Sequence, residues 1–182
     1  SIDDYRDIAT RHLYREAVEA HGVDPQLALA VVHARSRDNA RTPMQWDDSP
    51  GAGFTAGEPW IKVNPNHTAI NVAQALADPN SVLHYYRRLI RLRRENPIMV
   101  YGAYDLILDD HPQIYAFTRT LDDDRLLVIL NFSGDAPVFA LPDHLASCAG
   151  KLLIGNYEVE SAEENGQLTL RPYEARVYRL SQ

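Results

Sequence analysis

The sequence predicts a chain in two parts: helices joined by a long irregular loop up to about residue 98, then an all-β antiparallel sandwich from about 99 to 182. Three observations carry this division. Apolar residues recur at helical spacing in stretches before residue 98 and alternate in short runs after it. Pro43, Pro50, Pro59, Pro65 and Pro79, with Gly51, Gly53 and Gly57, interrupt residues 35–80, and such residues leave little room for helix or sheet. Turn-forming clusters punctuate everything beyond residue 108.

Taken in order, the first helix is expected over Asp3–Ala20, where Ile2, Tyr5, Ile8, Leu13 and Ala17 mark one face and Gly22 a stop. A second, Pro25–His33, opens with proline in its first turn, where the missing N–H costs nothing. The stretch Arg35–Asn80 reads as loop, with helical turns only around Asn71–Ala77. A loop of that length in a compact domain is usually functional. The third helix, Ser81–Glu95, carries Val82, Leu83, Tyr86, Leu89 and Ile90 on one stripe and Arg87, Arg88, Arg91, Arg93 and Arg94 elsewhere. Asn80 or Ser81 can cap it, and Pro97 ends it near Asn96. The strand candidates are Tyr101–Leu108, Ile114–Thr120, Leu126–Asn131, Pro137–Leu141, Gly150–Ile154, Leu168–Arg171 and Ala175–Leu180. The intervening turns include Asp109–Pro112, Asp122–Asp124, Ser133–Asp135 and Glu164–Gly166. Closely spaced short strands of this kind point to a sandwich.

Composition narrows the function classes. With 45% hydrophobic and 24% charged residues the chain can build a core. A net charge of −7 argues against nucleic acid as a partner. No apolar run approaches the roughly 20 residues that span a bilayer, so no membrane partner is expected. Cys148 is the single cysteine and has no internal disulfide partner, which fits a reducing, cytoplasmic setting. Ser1–Asp7 is polar and acidic rather than a signal segment, and the absence of an initiator Met suggests an excised piece. The histidines (His12, His21, His33, His67, His84, His111 and His144) have no ligand spacing with a third partner, so no metal and no cofactor is expected.

The densest polar cluster is Arg37-Asp38-Asn39-Ala40-Arg41-Thr42-Pro43-Met44-Gln45-Trp46-Asp47. Its guanidinium forks can bind carboxylates or donate to hydroxyls, and Trp46 offers a flat face to a sugar ring. From spacing alone, a loop pinned by its own ion pairs is the simpler reading. In the neighbouring Gly51-Ala52-Gly53-Phe54-Thr55 and Gly57-Glu58-Pro59-Trp60, Phe54 and Trp60 are expected to plug a core beneath the loop. The carboxylate pairs Asp47/Asp48, Asp109/Asp110, Asp122–Asp124 and Glu163/Glu164 sit in polar turn-like contexts and read as solvated rather than catalytic.

These motifs, followed by Val63-Asn64-Pro65-Asn66, resemble the oligo-1,6-glucosidase branch of the α-amylase family, which also contains dextran glucosidases, maltases, trehalose-6-phosphate hydrolases and sucrose isomerases. The resemblance extends through Ser1–Asp7, Val100–Ile107, Leu127–Phe132 and Leu170–Ala175, and so covers essentially the whole chain. It implies that residues 1–98 are the end of a catalytic (β/α)8 barrel and 99–182 its C-terminal sandwich. It implies a retaining, exo-acting α-glucosidase whose nucleophile, acid/base and third carboxylate all lie upstream, so no catalytic residue is assigned here. Arg37 is the substrate-binding candidate, resembling the family arginine that pairs with an upstream Asp to hold the terminal glucose. Asp38 and Arg41 are expected to support the loop. The partner is an oligosaccharide, and a chain without the rest of its barrel is expected to self-associate. A rival reading is a non-catalytic module that binds sugar or protein. Against it, Tyr101, Tyr104, Tyr115, Phe117, Phe132, Phe139, Tyr157, Tyr173 and Tyr178 mostly fall in apolar patterns that suggest core rather than display.

Overall fold

The computed structural model describes residues 1–146, 149–159 and 167–181. Two compact units emerge, Ser1–His84 and Tyr85–Gln182.

The first unit begins with a 3-10 turn, Ile2–Asp4, capped by the Ser1 hydroxyl. Helix α1 spans Ile8–Arg15 and continues as a π-helical turn, Glu16–Ala20, to the left-handed Gly22. The expected single helix Asp3–Ala20 is therefore broken. The cause is a competing acceptor: the backbone N–H groups of Arg6 and Asp7 both donate to Asp38 Oδ2, at 2.6 and 2.8 Å, instead of to helical carbonyls. Asp7 then caps α1 itself, accepting from Thr10 N.

Helix α2 spans Pro25–Arg35, with Asp24 accepting from Gln26 N and Leu27 N, and it buries Ala28 and Val32. The loop that follows holds 3-10 turns at Arg37–Ala40, Pro50–Gly53 and Pro65–Thr68, then a short helix α3, Val72–Ala77, capped by Asn71. Its strands of chain are tied backbone to backbone, Trp46 N to Ala52 O and Val72 N to Gln45 O. Gly51, Ala52 and Gly53 all take positive φ. The tight left-handed turn they make tucks the small Ala52 inside and turns the large rings out. Ala52 and Ile61 are buried, whereas Phe54 and Trp60 are 52% and 66% exposed, so the rings do not form the expected plug.

Helix α4 spans Val82–Glu95; Ser81 Oγ accepts from His84 N, and the helix ends where Pro97 requires. Part of its apolar stripe is uncovered, with Val82 83% and Tyr86 63% exposed, while Leu83 and Leu89 are half-buried. A short helix α5, Ile98–Tyr101, comes next and buries Ile98. It occupies the start of the stretch expected as the first strand, so β1 is only Ala103–Leu106.

The other strands fall where alternation put them. They are β2 Ile114–Leu121, β3 Asp124–Asn131, β4 Val138–Ala140, β5 Ala149–Gly155, β6 Gln167–Thr169 and β7 Ala175–Ser181. One antiparallel sheet has the order β1-β2-β3-β7-β5; β4 and β6 pair separately. A short helix α6, Asp143–Ala146, was not expected. Ile114, Ala116, Leu127 and Ile129 from the large sheet share one core with Phe139 and Leu168 of the small pair and Leu145 of α6. Each fully buried Leu, Ile or Phe among them stabilises the fold by about 1.5–3 kcal/mol. This is a C-terminal antiparallel β domain.

Its aromatics correct the sequence reading. Phe139 and Tyr178 are core, but Tyr101, Phe132 and Tyr173 are 76%, 69% and 65% exposed. Alternation assigns a residue to a sheet face without saying whether that face is covered. Cys148 and the expected turn at Glu164–Gly166 lie outside the described residues. Among the described residues no helix is long and apolar enough to cross a membrane.

Candidate functional site

The polar cluster of the first unit is built on two buried carboxylates, Asp7 and Asp38. Asp38 sits in the 3-10 turn after α2, where Ser36 Oγ accepts its backbone N–H. Its Oδ2 is taken by the N–H groups of Arg6 and Asp7. Among the described residues its Oδ1 has no hydrogen-bond partner, and it lies 3.7 Å from Arg41 Nη1. Arg41 Nη1 is also 3.7 Å from Asp7 Oδ1. Asp38 and Arg41, the expected loop supports, thus lie where the loop meets the start of α1.

Asp7 divides its two oxygens. Oδ2 accepts from Thr10 N at 3.1 Å and from Thr10 Oγ1 at 2.8 Å. Oδ1 accepts from Arg37 Nη2 at 2.9 Å. The Thr10 hydroxyl is also 3.0 Å from Ser36 Oγ, in the residue preceding Arg37. The Thr10 hydroxyl bond, with the Thr10 N–H and the Arg37 charge, holds the Asp7 carboxyl below the ordinary carboxylate value against the opposing effect of burial.

Arg37 itself is displayed outward. Its side chain is 64% exposed while that of Asp7 is 7% exposed. Of its several N–H donors, only the Nη2 bond to Asp7 has a partner among the described residues. A cavity of about 300 Å³ opens beside it, lined by Asp7, Thr10, Val32, Arg35, Ser36 and Arg37. A second, of about 410 Å³, is lined by Tyr5, His33, Asp38, Asn39, Thr42 and Lys62 among others. There Tyr5 stacks on His33 with ring centroids 6.1 Å apart, and burial, together with the Asp38 and Asp4 charges, pushes the Tyr5 phenol up.

Further along the loop, Gln45 Nε2 donates to Asn66 Oδ1 at 3.0 Å and to Ile70 O. Met44 and Trp46 stand 52% and 50% exposed. Asp47 is spent on Ser49, whose N–H and hydroxyl both donate to it, and this lowers its pKa. Asp124 pairs with Arg179 at 2.9 Å in the second unit. Of the carboxylate pairs, Asp47 is thus engaged by a turn and Asp124 by an ion pair, and Glu163 and Glu164 lie outside the described residues. Among the described residues, no three His, Cys, Asp or Glu side chains gather as metal ligands.

Chemically, the arrangement can present a fixed guanidinium to hydroxyl or anionic oxygens. Sequence reasoning named Arg37, Asp38 and Arg41 but missed Asp7. The local signal was present, since Asp7 stands three residues before Thr10 at a helix start. The contact with Arg37, 30 residues on, had none.

Residues 8–102 match the family model described as alpha amylase, catalytic domain, and residues 114–177 that of the alpha-amylase SusG C-terminal domain. The chain is similar to an oligo-1,6-glucosidase of Parageobacillus thermoglucosidasius, 59% identical over 180 residues, or 99% of this chain and 32% of that protein. It is similar to a trehalose-6-phosphate hydrolase of Bacillus subtilis (strain 168), 43% identical over 182 residues, again 99% and 32%. Among solved structures, the trehalose-6-phosphate hydrolase of Bacillus licheniformis superposes with a TM-score of 0.89 at 41% identity, covering 100% of this chain and 33% of that one. The trehalulose synthase of Pseudomonas mesoacidophila MX-45 gives 0.87 at 38%, covering 100% and 32%. The chain thus spans about a third of the length of the relatives it matches.

Proposed function

The chain belongs to the α-amylase family, and on that premise we propose that it is the C-terminal portion of a retaining, exo-acting α-glucosidase that hydrolyses terminal glucose from isomalto- and malto-oligosaccharides. In this reading residues 1–98 end a catalytic (β/α)8 barrel and residues 99–182 form its β-sandwich. Retaining hydrolysis needs a nucleophile and an acid/base about 5–5.5 Å apart across the scissile bond; both belong to polypeptide outside this chain, which alone is inactive. Arg37 contributes binding. With an Asp outside this chain it holds the outer hydroxyls of the non-reducing glucose and so fixes the scissile bond before the carboxylates. Asp38 and Arg41 support the loop that carries it. The enzyme is cytoplasmic, uses no metal or cofactor, and binds neither nucleic acid nor membrane. Trehalose-6-phosphate hydrolase and sucrose isomerase are the alternatives within the family.

The observation that carries this reading is the display of Arg37, an exposed fork on a buried carboxylate, with its other donors free of partners among the described residues. The test joins the chain to the part of the Parageobacillus relative outside the match. The lone chain is expected to leave a chromogenic α-glucoside untouched, and the joined protein to release α-glucose from isomaltose or maltose. Glucose release by the lone chain, or an inactive but folded joined protein, contradicts the proposal.

One observation favours the rival binding module. Tyr104, Tyr115 and Phe117 form a surface cluster, with Tyr104 and Tyr115 each about 5 Å from Phe117 between ring centroids and their hydroxyls 2.9 Å apart. Calorimetric titration with isomaltose, maltose and trehalose separates the readings, since micromolar binding by the lone chain supports the module.

A further inference from the structure

We propose that Asp7 is the positioning residue of Arg37: it holds the guanidinium in the one orientation from which the remaining donors face a sugar. This rests on the reading of Arg37 as a substrate-binding residue and deepens it.

The argument is geometric. An exposed arginine has many accessible rotamers and would sweep a wide volume. Arg37 is 64% exposed, yet its Nη2 is tethered at 2.9 Å to a carboxylate that is itself buried. Asp7 is fixed independently of Arg37. Its backbone N–H is held by Asp38 Oδ2 at 2.8 Å and its other oxygen by Thr10 N and Oγ1. The Thr10 hydroxyl reaches Ser36 Oγ at 3.0 Å, next to Arg37 in the chain. Asp7, Thr10, Ser36 and Arg37 thus close a ring of contacts joining the start of α1 to the end of α2. Both ends of the arginine are set, the backbone end through Ser36 and the guanidinium end through Asp7. A group held so loses little further freedom on binding, which is where a positioning residue acts.

Two measurements test this. On the chain as it stands, the Arg37 Nε–H group is expected to relax in NMR like ordered backbone, while the exposed Arg15 and Arg87 relax as mobile side chains. Asp7→Asn keeps an acceptor for the Thr10 cap and removes the charge from Arg37, so Arg37 is expected to join the mobile set. In the joined protein Asp7→Asn is expected to raise KM about tenfold with kcat within about threefold, because the bond it orients forms in the ground state as well. Added to Arg37→Ala, it is expected to change KM no further. Asp24→Ala, which removes the cap of α2, is the stability control and leaves KM unmoved. Mobile Arg37 in the unaltered chain, or an Asp7→Asn effect that persists undiminished in Arg37→Ala, overturns the positioning role. A rigid Arg37 together with an Arg37→Ala variant of unaltered kinetics overturns instead the substrate-binding reading and leaves the tether standing.

Discussion

Glu174 and Arg176 show how one buried pair holds the second unit. Arg176 Nε donates to Glu174 Oε1 at 2.8 Å and Nη2 to Oε2 at 3.0 Å, with side chains 10% and 1% exposed. Arg171 N donates to the same carboxylate at 2.7 Å. Burial alone would raise the Glu174 pKa, but the bonds from Arg176 and Arg171 outweigh it and hold the carboxyl below 4.5. The folded state therefore binds this proton less readily than the unfolded one. Its contribution is complete above about pH 4.5 and is lost as pH falls through the lower folded value. Thermal melts followed between roughly pH 2 and 7 are expected to fall off in acid. Glu174→Gln is expected to lower stability near neutral pH by about 3–5 kcal/mol, because it leaves a buried guanidinium unpaired, and to flatten the acid fall-off. An unchanged melting profile would falsify this assignment. None of this was legible in the sequence, where Glu174 is one acidic residue in a turn-rich stretch. Asp38 shows the same limit: the spacing suggested a loop support, but its partners, Arg6 and Asp7, lie some thirty residues away.

Elements were legible to the extent that their causes are local. Pro25 announces α2, and Pro97 ends α4, because proline acts within a turn of where it stands. The strands of the C-terminal domain follow from alternation for the same reason. The break at Tyr5–Asp7 was invisible, since a distant side chain takes the helical donors. Helix α5 was missed because Ile98–Tyr101 is uniformly apolar and carries no period. Its junction with β1 is tight. A Cβ on Gly102 would lie 2.5 Å from Ile98 O and 3.2 Å from Arg119 Cβ. Gly102→Ala is therefore expected to cost about 1–3 kcal/mol through overpacking, read as a lower urea midpoint. A wild-type midpoint would show that α5 shifts freely.

At the scale of the whole molecule, uncovered apolar surface is the dominant feature. Ile8, Leu27 and Val82 are 83%, 62% and 83% exposed. A wholly apolar cavity of about 330 Å³ lies between Leu13, Tyr14, Ala17, Val23, Leu27, Ala28 and Val31. Contiguous patches of this kind mark surfaces that bury against something. We propose that the remainder of the barrel covers them, and the lone chain is expected to self-associate in sedimentation as concentration rises. A monomer at all concentrations with uniformly slow amide exchange over residues 1–98 counts against that. The sequence foretold the stripes of the first and third helices by their period, but not the exposed face of α2 or the exposed aromatics of the β domain, because period says nothing of what lies opposite.

The most direct test of the whole account is the hydrolysis of isomaltose by the joined protein with Arg37 replaced by alanine. If Arg37 holds the terminal glucose in the ground state and the transition state alike, KM rises far more than kcat changes, for a loss in kcat/KM of about a hundredfold or more, while the melting temperature is kept. A variant that turns over isomaltose like its parent would contradict the account.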